Sequence, residues 1–180
     1  IANKVHASAA TLANALEKLG LQQTNTAFFD TIVMKADAKK VKEIAEQNEI
    51  NFYYIDENTV SISLNETTSI TDLNKIIAVF ASAKGTQATT IESLSETNHF
   101  PENVNRKSTF LQHDVFNKHH SETALMRYIK MLERKDLALN HSMISLGSCT
   151  MKLNAASEML PLSMAQWNNI HPFAPLDQAQ

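Results

Sequence analysis

Glycine is unusually scarce in this chain, with three in 180 residues. That is about a quarter of the usual share of roughly 7%. Loops that cradle phosphate need glycine, because backbone N–H groups must approach the anion closely. The sequence contains no glycine-rich loop of this kind, so a phosphorylated ligand would need a cradle from elsewhere.

Cysteine, clustered basic charge and long apolar runs are also scarce. The single cysteine, Cys149, excludes an internal disulfide and is typical of a reducing compartment. A net charge of −3 gives no basic face for nucleic acid. No run approaches the roughly 18 apolar residues of a membrane span, and the first residues show no signal-peptide pattern. We therefore expect neither a nucleic-acid partner nor a membrane partner.

Residues 1–85 carry alternating helix and strand patterns. Apolar residues recur at helical spacing before Gly20, and strict alternation marks the strand around Ile62. The order α-β-α-β-β-α predicts an α/β (α+β) fold, a small two-layer domain with helices on one face of a sheet. The predicted elements are a helix ending at Gly20, a strand at Ala27–Met34, a helix capped by Asp37, strands at Phe52–Ile55 and Val60–Leu64, and a helix from Thr71 or Asp72 to Gly85.

The remaining chain changes character. Residues 86–108 are rich in Thr, Ser, Asn and Glu, which is typical of a connector. Beyond it we expect an extended segment at Phe110–Phe116 and a helix capped by Ser121 that ends in the charged run Glu133–Asp136. Three prolines then break any long helix. Residues 109–180 therefore predict a mainly helical or irregular arm that lies over another domain.

The densest group of chemically able side chains lies between Leu146 and Asn154. Ser148 and Thr150 beside Gly147 can bind a carboxylate or simply tie a turn. Cys149 is either a thiol near a substrate or a small buried apolar residue. A nucleophilic cysteine needs a base within hydrogen-bond reach, and only a distant histidine could supply one. The stretch therefore indicates a pocket wall without identifying the pocket.

Histidine and lysine give weaker signals. His171, before Pro172, could be aimed by an extended turn, and Lys152 could supply charge at a pocket rim. His119 and His120 are adjacent, so they point apart in regular structure, and no cysteine or aspartate pair supports them as ligands. We expect no metal site.

Three stretches resemble the glycine decarboxylase P-protein family, the pyridoxal-phosphate (PLP) enzymes of the glycine cleavage system. They are Leu146–Asn154, His171–Gln180 and Phe116–Thr123, and they occur in the family's order. The resemblance covers roughly residues 106–180, while residues 1–105 fit by length and pattern. Because the family's chains are several times longer, it implies that this chain is an internal fragment.

The resemblance also implies a domain organisation within the fold-type-I family of PLP enzymes. Residues 1–85 would be the small C-terminal-type domain of the first of two homologous halves. Residues 86–108 would be the connector between the halves, and residues 109–180 the N-terminal arm that starts the second half.

The implied reaction is PLP-dependent glycine decarboxylation, with the aminomethyl group passed to the lipoyl group of a carrier protein. Ser148, Cys149, Thr150, Lys152 and His171 would form the rim of the substrate and cofactor pocket, and none would be catalytic. The family's cofactor-binding lysine belongs to a later His-Lys-Thr segment, so it lies outside this chain and the fragment alone should be inactive.

The complete protein would form a homodimer or a two-half assembly in the bacterial cytoplasm or the mitochondrial matrix. The alternative hypothesis for residues 1–85 is an independent module that binds an amino acid or has a regulatory role.

Overall fold

The computed structural model describes residues 1–95, 102–136, 140–141, 143 and 155–179. The chain divides into two compact units, Ile1–Asn105 and Arg106–Gln180. The first unit contains a helix-and-sheet core, and the described part of the second contains helices of 4 to 12 residues.

The sheet of the first unit has four antiparallel strands in the order β1-β2-β4-β3. The central pair, β2 and β4, places Ile32 opposite Ile62 and Met34 opposite Val60. All four side chains are buried, and because they occupy alternate positions along paired strands they share one face of the sheet. The strands are β1 (Gln22–Gln23), β2 (Thr31–Lys35), β3 (Tyr53–Asp56) and β4 (Thr59–Ser63).

Three helices cover this apolar face: α1 (Ala2–Lys18), α2 (Ala38–Gln47) and α3 (Ile70–Lys84). Leu12 and Leu16 of α1 and Ile77 of α3 are fully buried against the strands in one continuous core. The two-layer α/β architecture predicted from the sequence is therefore confirmed.

Side chains and glycines set the helix ends. Asp37 accepts a hydrogen bond from the backbone of Lys40 at the start of α2, as the sequence predicts. Gly20 and Gly85 follow α1 and α3 with φ of +76° and +73°, a conformation that favours glycine. The ammonium of Lys84 donates to the carbonyls of Leu19 (2.5 Å) and Gly20 (2.7 Å), which ties the end of α3 to the end of α1.

Several local predictions differ from the structure. The strands predicted at Phe52–Ile55 and Val60–Leu64 are observed one residue away, at Tyr53–Asp56 and Thr59–Ser63. The strand predicted from Ala27 begins at Thr31, because Phe28 enters the core from an irregular segment. The two-residue strand β1 was not predicted, since two glutamines carry no apolar pattern. Helix α3 begins at Ile70, because Ser69 and Asp72 form a reciprocal capping box that places the cap before Thr71.

Residues 86–95, named here the strap, lie on this helical layer. Asn74 of α3 exchanges two hydrogen bonds with the backbone of Ile91, donating at 3.0 Å and accepting at 2.9 Å. The backbone N–H of Ser95 donates to the Thr11 hydroxyl of α1 at 2.8 Å. Ile91 and Leu94 are partly buried against the core, so this part of the connector is held in place although it forms no helix or strand.

The second unit has no buried residue among those described between 106 and 179. The extended segment predicted at Phe110–Phe116 is wrong at its end, because a short helix begins at Val115 and is supported by an ion pair from Asp114 to Lys118. Ser121 caps the next helix as predicted. The described helices are α4 (Val115–Lys118), α5 (Glu122–Glu133), α6 (Ala156–Met159) and α7 (Ala165–Asn168), with 3-10 turns at Leu160–Ser163 and Leu176–Gln178.

Candidate functional site

Four of the five predicted rim residues lie outside the described part of the chain: Ser148, Cys149, Thr150 and Lys152. Their roles stay predictions. His171 is the fifth, and it lies in a turn between α7 and the last 3-10 turn.

His171 is exposed and held by its own turn. The backbone N–H of Phe173 donates to its Nδ1 at 3.1 Å, and the two rings lie 5.8 Å apart. Since Nδ1 accepts this bond, a neutral imidazole carries its proton on Nε2. The turn therefore fixes the ring and presents Nε2 as a donor, which is what a residue that binds a carboxylate or a carbonyl oxygen requires.

Two other histidines of the second unit contact residues close to them in sequence. His119 stacks on Tyr128 of α5, with ring centroids 4.2 Å apart. His141 contacts Asn140 and the carbonyl of Asp136. Within the described ranges, no three His, Cys, Asp or Glu side chains come together in a way that could hold a metal ion.

Helix α5 carries a basic edge. Arg127, Lys130 and Arg134, with Met131, line a shallow groove on the helix. Lys130 pairs with Glu133 at 2.7 Å, and this hydrogen bond lowers the pKa of the Glu133 carboxyl. No ion pair joins either arginine to another residue of the described ranges.

A second open groove lies at the start of α2, between Lys39 and Lys42 on one side and Asp56 on the other. Tyr54 lines it, and its hydroxyl is buried without a hydrogen-bond partner in the described structure. Burial raises the pKa of the Tyr54 hydroxyl, and the nearby Glu46 raises it further. Asp37 also lines the groove while it caps α2, so the helix start there is already occupied by a carboxylate.

The capped helix starts and the two described glycines do not fit the phosphate of a phosphorylated cofactor. The amides at the starts of α2, α3 and α5 donate to the side chains of Asp37, Ser69 and Ser121, so these hydrogen bonds are already made. Gly20 lies beside the Lys84 ammonium, which leaves no room for a further group there. Gly85 follows the end of α3, whereas phosphate is bound at helix starts. These parts of the chain therefore offer no phosphate cradle.

Among the helices described here, none is both long and apolar enough to cross a membrane.

Comparison with known proteins places this arrangement in a family. Residues 1–80 match the family described as glycine cleavage system P-protein. A glycine dehydrogenase (decarboxylating) of Flavobacterium johnsoniae is 70% identical over 180 residues, covering 100% of this chain and 19% of that protein. The protein of the same name from Christiangramia forsetii is 63% identical over 180 residues, which again cover 100% of this chain and 19% of that protein.

A more distant relative is the mitochondrial glycine dehydrogenase (decarboxylating) of Solanum tuberosum. It is 43% identical over 182 residues, covering 99% of this chain and 18% of the relative. The chain thus spans about a fifth of the length of the curated relatives it matches. Since the match runs through both units without interruption, the chain belongs to the glycine cleavage system P-protein family.

Proposed function

We propose that this chain is the central part of a glycine dehydrogenase (decarboxylating). The observation that supports this most strongly is the 70% identity to a protein of that name across all 180 residues. The proposed reaction removes the glycine carboxyl group as CO2 and passes the remaining aminomethyl group to the lipoyl disulfide of a carrier protein, which is reduced. PLP would accept electrons from the breaking bond, and no step is assigned to it among the described residues.

The proposed contribution of this chain is the wall of the active site. Ser148, Cys149, Thr150 and Lys152 would line the rim where glycine and the lipoyl group enter, together with His171. The geometry of His171 supports its part, because a ring whose Nδ1 accepts a hydrogen bond from its own turn keeps Nε2 as a donor that can bind a carboxylate. Neither the cofactor-binding lysine nor the phosphate cradle is assigned to this chain.

The relatives include both bacterial and mitochondrial proteins. The two bacterial proteins are 70% and 63% identical, whereas the mitochondrial potato protein is 43% identical. We propose that the complete protein acts in the bacterial cytoplasm or the mitochondrial matrix, with glycine and a lipoyl carrier protein as its partners and a homodimer or two-half assembly as its form. The alternative of a separate amino-acid-binding module is not favoured, because the identity does not end with residues 1–85.

The test is the release of labelled CO2 from carboxyl-labelled glycine by the complete protein, supplied with PLP and a lipoylated carrier. Activity that depends on both additions is expected, and absence of activity in a protein that binds PLP would refute the proposal. The 180-residue chain alone should release no CO2. A lysine of this chain trapped by borohydride after incubation with PLP and glycine would contradict the assignment of the cofactor lysine elsewhere.

His171 can be tested in the same assay. His171→Ala in the complete protein should lower kcat/KM for glycine by about tenfold or more, because a misplaced substrate reacts slowly. His120→Ala is the matched control, since His120 is also exposed, and it should change kcat/KM by less than about twofold. Equal effects of the two substitutions would remove His171 from the rim.

A further inference from the structure

The strap, residues 86–95, is fastened to the helical layer through side chains of that layer. At its start, Thr86 completes the end of α3. Farther along, the backbone of Ile91 exchanges two hydrogen bonds with the side-chain amide of Asn74, and the backbone N–H of Ser95 donates to the hydroxyl of Thr11. These three bonds use no backbone group of α1 or α3, so they can break while the hydrogen bonds within both helices remain.

Little of the strap is buried. Seven of its ten residues are exposed and none is fully buried. Ile91 and Leu94 pack partly against the core, whereas the layer beneath has fully buried residues of its own, among them Leu12 and Ile77. Ordering a segment costs conformational entropy at every residue, and three hydrogen bonds with two half-buried side chains offset little more than that cost. The closed strap is therefore far less stable than the layer on which it lies.

We infer that the strap opens and closes as one unit while the helical layer stays folded. Its fastenings at Ile91 and Ser95 lie on either side of Leu94, so loss of either one lets that half-buried side chain leave and loosens the other. Opening frees the ten residues from Thr86 to Ser95 to extend before Arg106, where the second unit begins. A segment of this length spans at most about 33–36 Å, so the strap controls how much chain is available between the helical layer and the second unit.

The test is amide hydrogen exchange of the folded 180-residue chain, followed by NMR. The exchange rate of each amide, divided by its rate in an unstructured peptide, gives the fraction of time for which its hydrogen bond is open. The amides of Ile91 and Ser95 should be open for the same fraction, within about threefold, and that fraction should be at least about 100-fold larger than the fraction for Ile77 in α3. Exchange is read without the enzymatic reaction, so the result is independent of whether the complete protein decarboxylates glycine.

Thr11→Val tests whether the two fastenings open together. The variant keeps a branched side chain on α1 and removes the acceptor of the Ser95 bond, which should raise the open fraction at Ser95 by about twofold to tenfold. Because the strap opens as one unit, the open fraction at Ile91, which bonds to Asn74 instead, should rise by the same factor. Thr11→Ser is the matched control, since it keeps the hydroxyl, and it should change both open fractions less than Thr11→Val does.

Three results would overturn the inference. If Ile91 and Ser95 exchange as slowly as Ile77, the strap unfolds only together with the layer. If Thr11→Val raises the open fraction at Ser95 and leaves Ile91 unchanged, the strap loosens piece by piece. If both strap amides exchange at the rate of an unstructured peptide, the strap is not closed in the folded chain. A common open fraction at the two strap amides, shifted together by Thr11→Val, is the result that supports the inference.

Discussion

Replacing Asn74 tests whether the strap is part of the first unit. Its amide donates to the carbonyl of Ile91 and accepts from the backbone N–H of the same residue. Asn74→Ala removes both bonds at once and leaves two polar backbone groups of Ile91 to be satisfied by water. At about 0.5–1.5 kcal/mol for each hydrogen bond, the free energy of unfolding should fall by about 1–3 kcal/mol.

The loss of unfolding free energy in Asn74→Ala has an upper limit. If the strap detaches before the helical layer unfolds, the free energy of unfolding falls only by the free energy with which the strap docks. Urea unfolding of the 180-residue chain, followed by circular dichroism, measures the loss. Hydrogen exchange at the Ile91 amide shows whether the strap has detached.

Two variants serve as comparisons for Asn74→Ala. Ile91→Ala keeps the backbone hydrogen bonds and removes the partly buried side chain, so it reports the apolar contribution separately. Glu92→Ala changes an exposed neighbour and should alter the free energy of unfolding by less than about 0.5 kcal/mol. The reasoning fails if Asn74→Ala changes stability no more than Glu92→Ala and leaves exchange at Ile91 unchanged.

Three further predictions concern glycine, acid and the buried phenol. Gly20→Ala should destabilise the chain more than Gly85→Ala in urea unfolding. Both sites have positive φ, but a Cβ at residue 20 would lie 2.6 Å from the Lys84 ammonium, whereas a Cβ at residue 85 would meet no atom within 4 Å. Equal losses would show that the lysine moves aside freely. Hydrogen bonds from the Ser69 hydroxyl, and to a smaller extent from its backbone N–H, lower the pKa of Asp72. The stability that the Asp72 carboxylate contributes is therefore present above its unfolded-state pKa and is lost as the pH falls through its folded-state pKa. Asp72→Asn should reduce the fall in the urea midpoint below about pH 4, and an unchanged acid profile would contradict this. Tyr54→Phe removes a buried hydroxyl that has no described hydrogen-bond partner. The free energy of unfolding should stay unchanged or rise by up to about 1 kcal/mol in the same assay. A loss above about 1 kcal/mol would show that the hydroxyl makes a hydrogen bond.

Most of the first unit could be predicted from the sequence because its signals are local. Gly20, Asp37 and Gly85 act on the turns beside them, and the alternation around Ile62 reflects the apolar face of β4, although Thr59 and Ser61 on its other face are buried as well. The strand boundary at Thr31 was missed because Phe28 is apolar for a tertiary reason, its place in the core, while its backbone is irregular. No local pattern distinguishes these two cases.

The strap and the second unit were harder to predict for a different reason. The contacts of Asn74 with Ile91 and of Thr11 with Ser95 join residues far apart in sequence, so composition alone indicates only a connector. In the second unit, Ser121 marks a helix start by a local bond. The candidate rim was found through motif resemblance, and its residues between 148 and 152 lie outside the described ranges, so the sequence remains the basis of that prediction.

The way the strap is fastened has a practical consequence for dissecting the protein. Trypsin cleaves after lysine and arginine, and neither occurs between Gly85 and Asn105. The Lys84 side chain at the near end is engaged with two carbonyls, whereas Arg106 lies beyond Ser95. Brief digestion should therefore cleave after Arg106 and release the first unit with Ile91 and Leu94 still packed against its helices. This fragment would keep that part of its apolar surface covered.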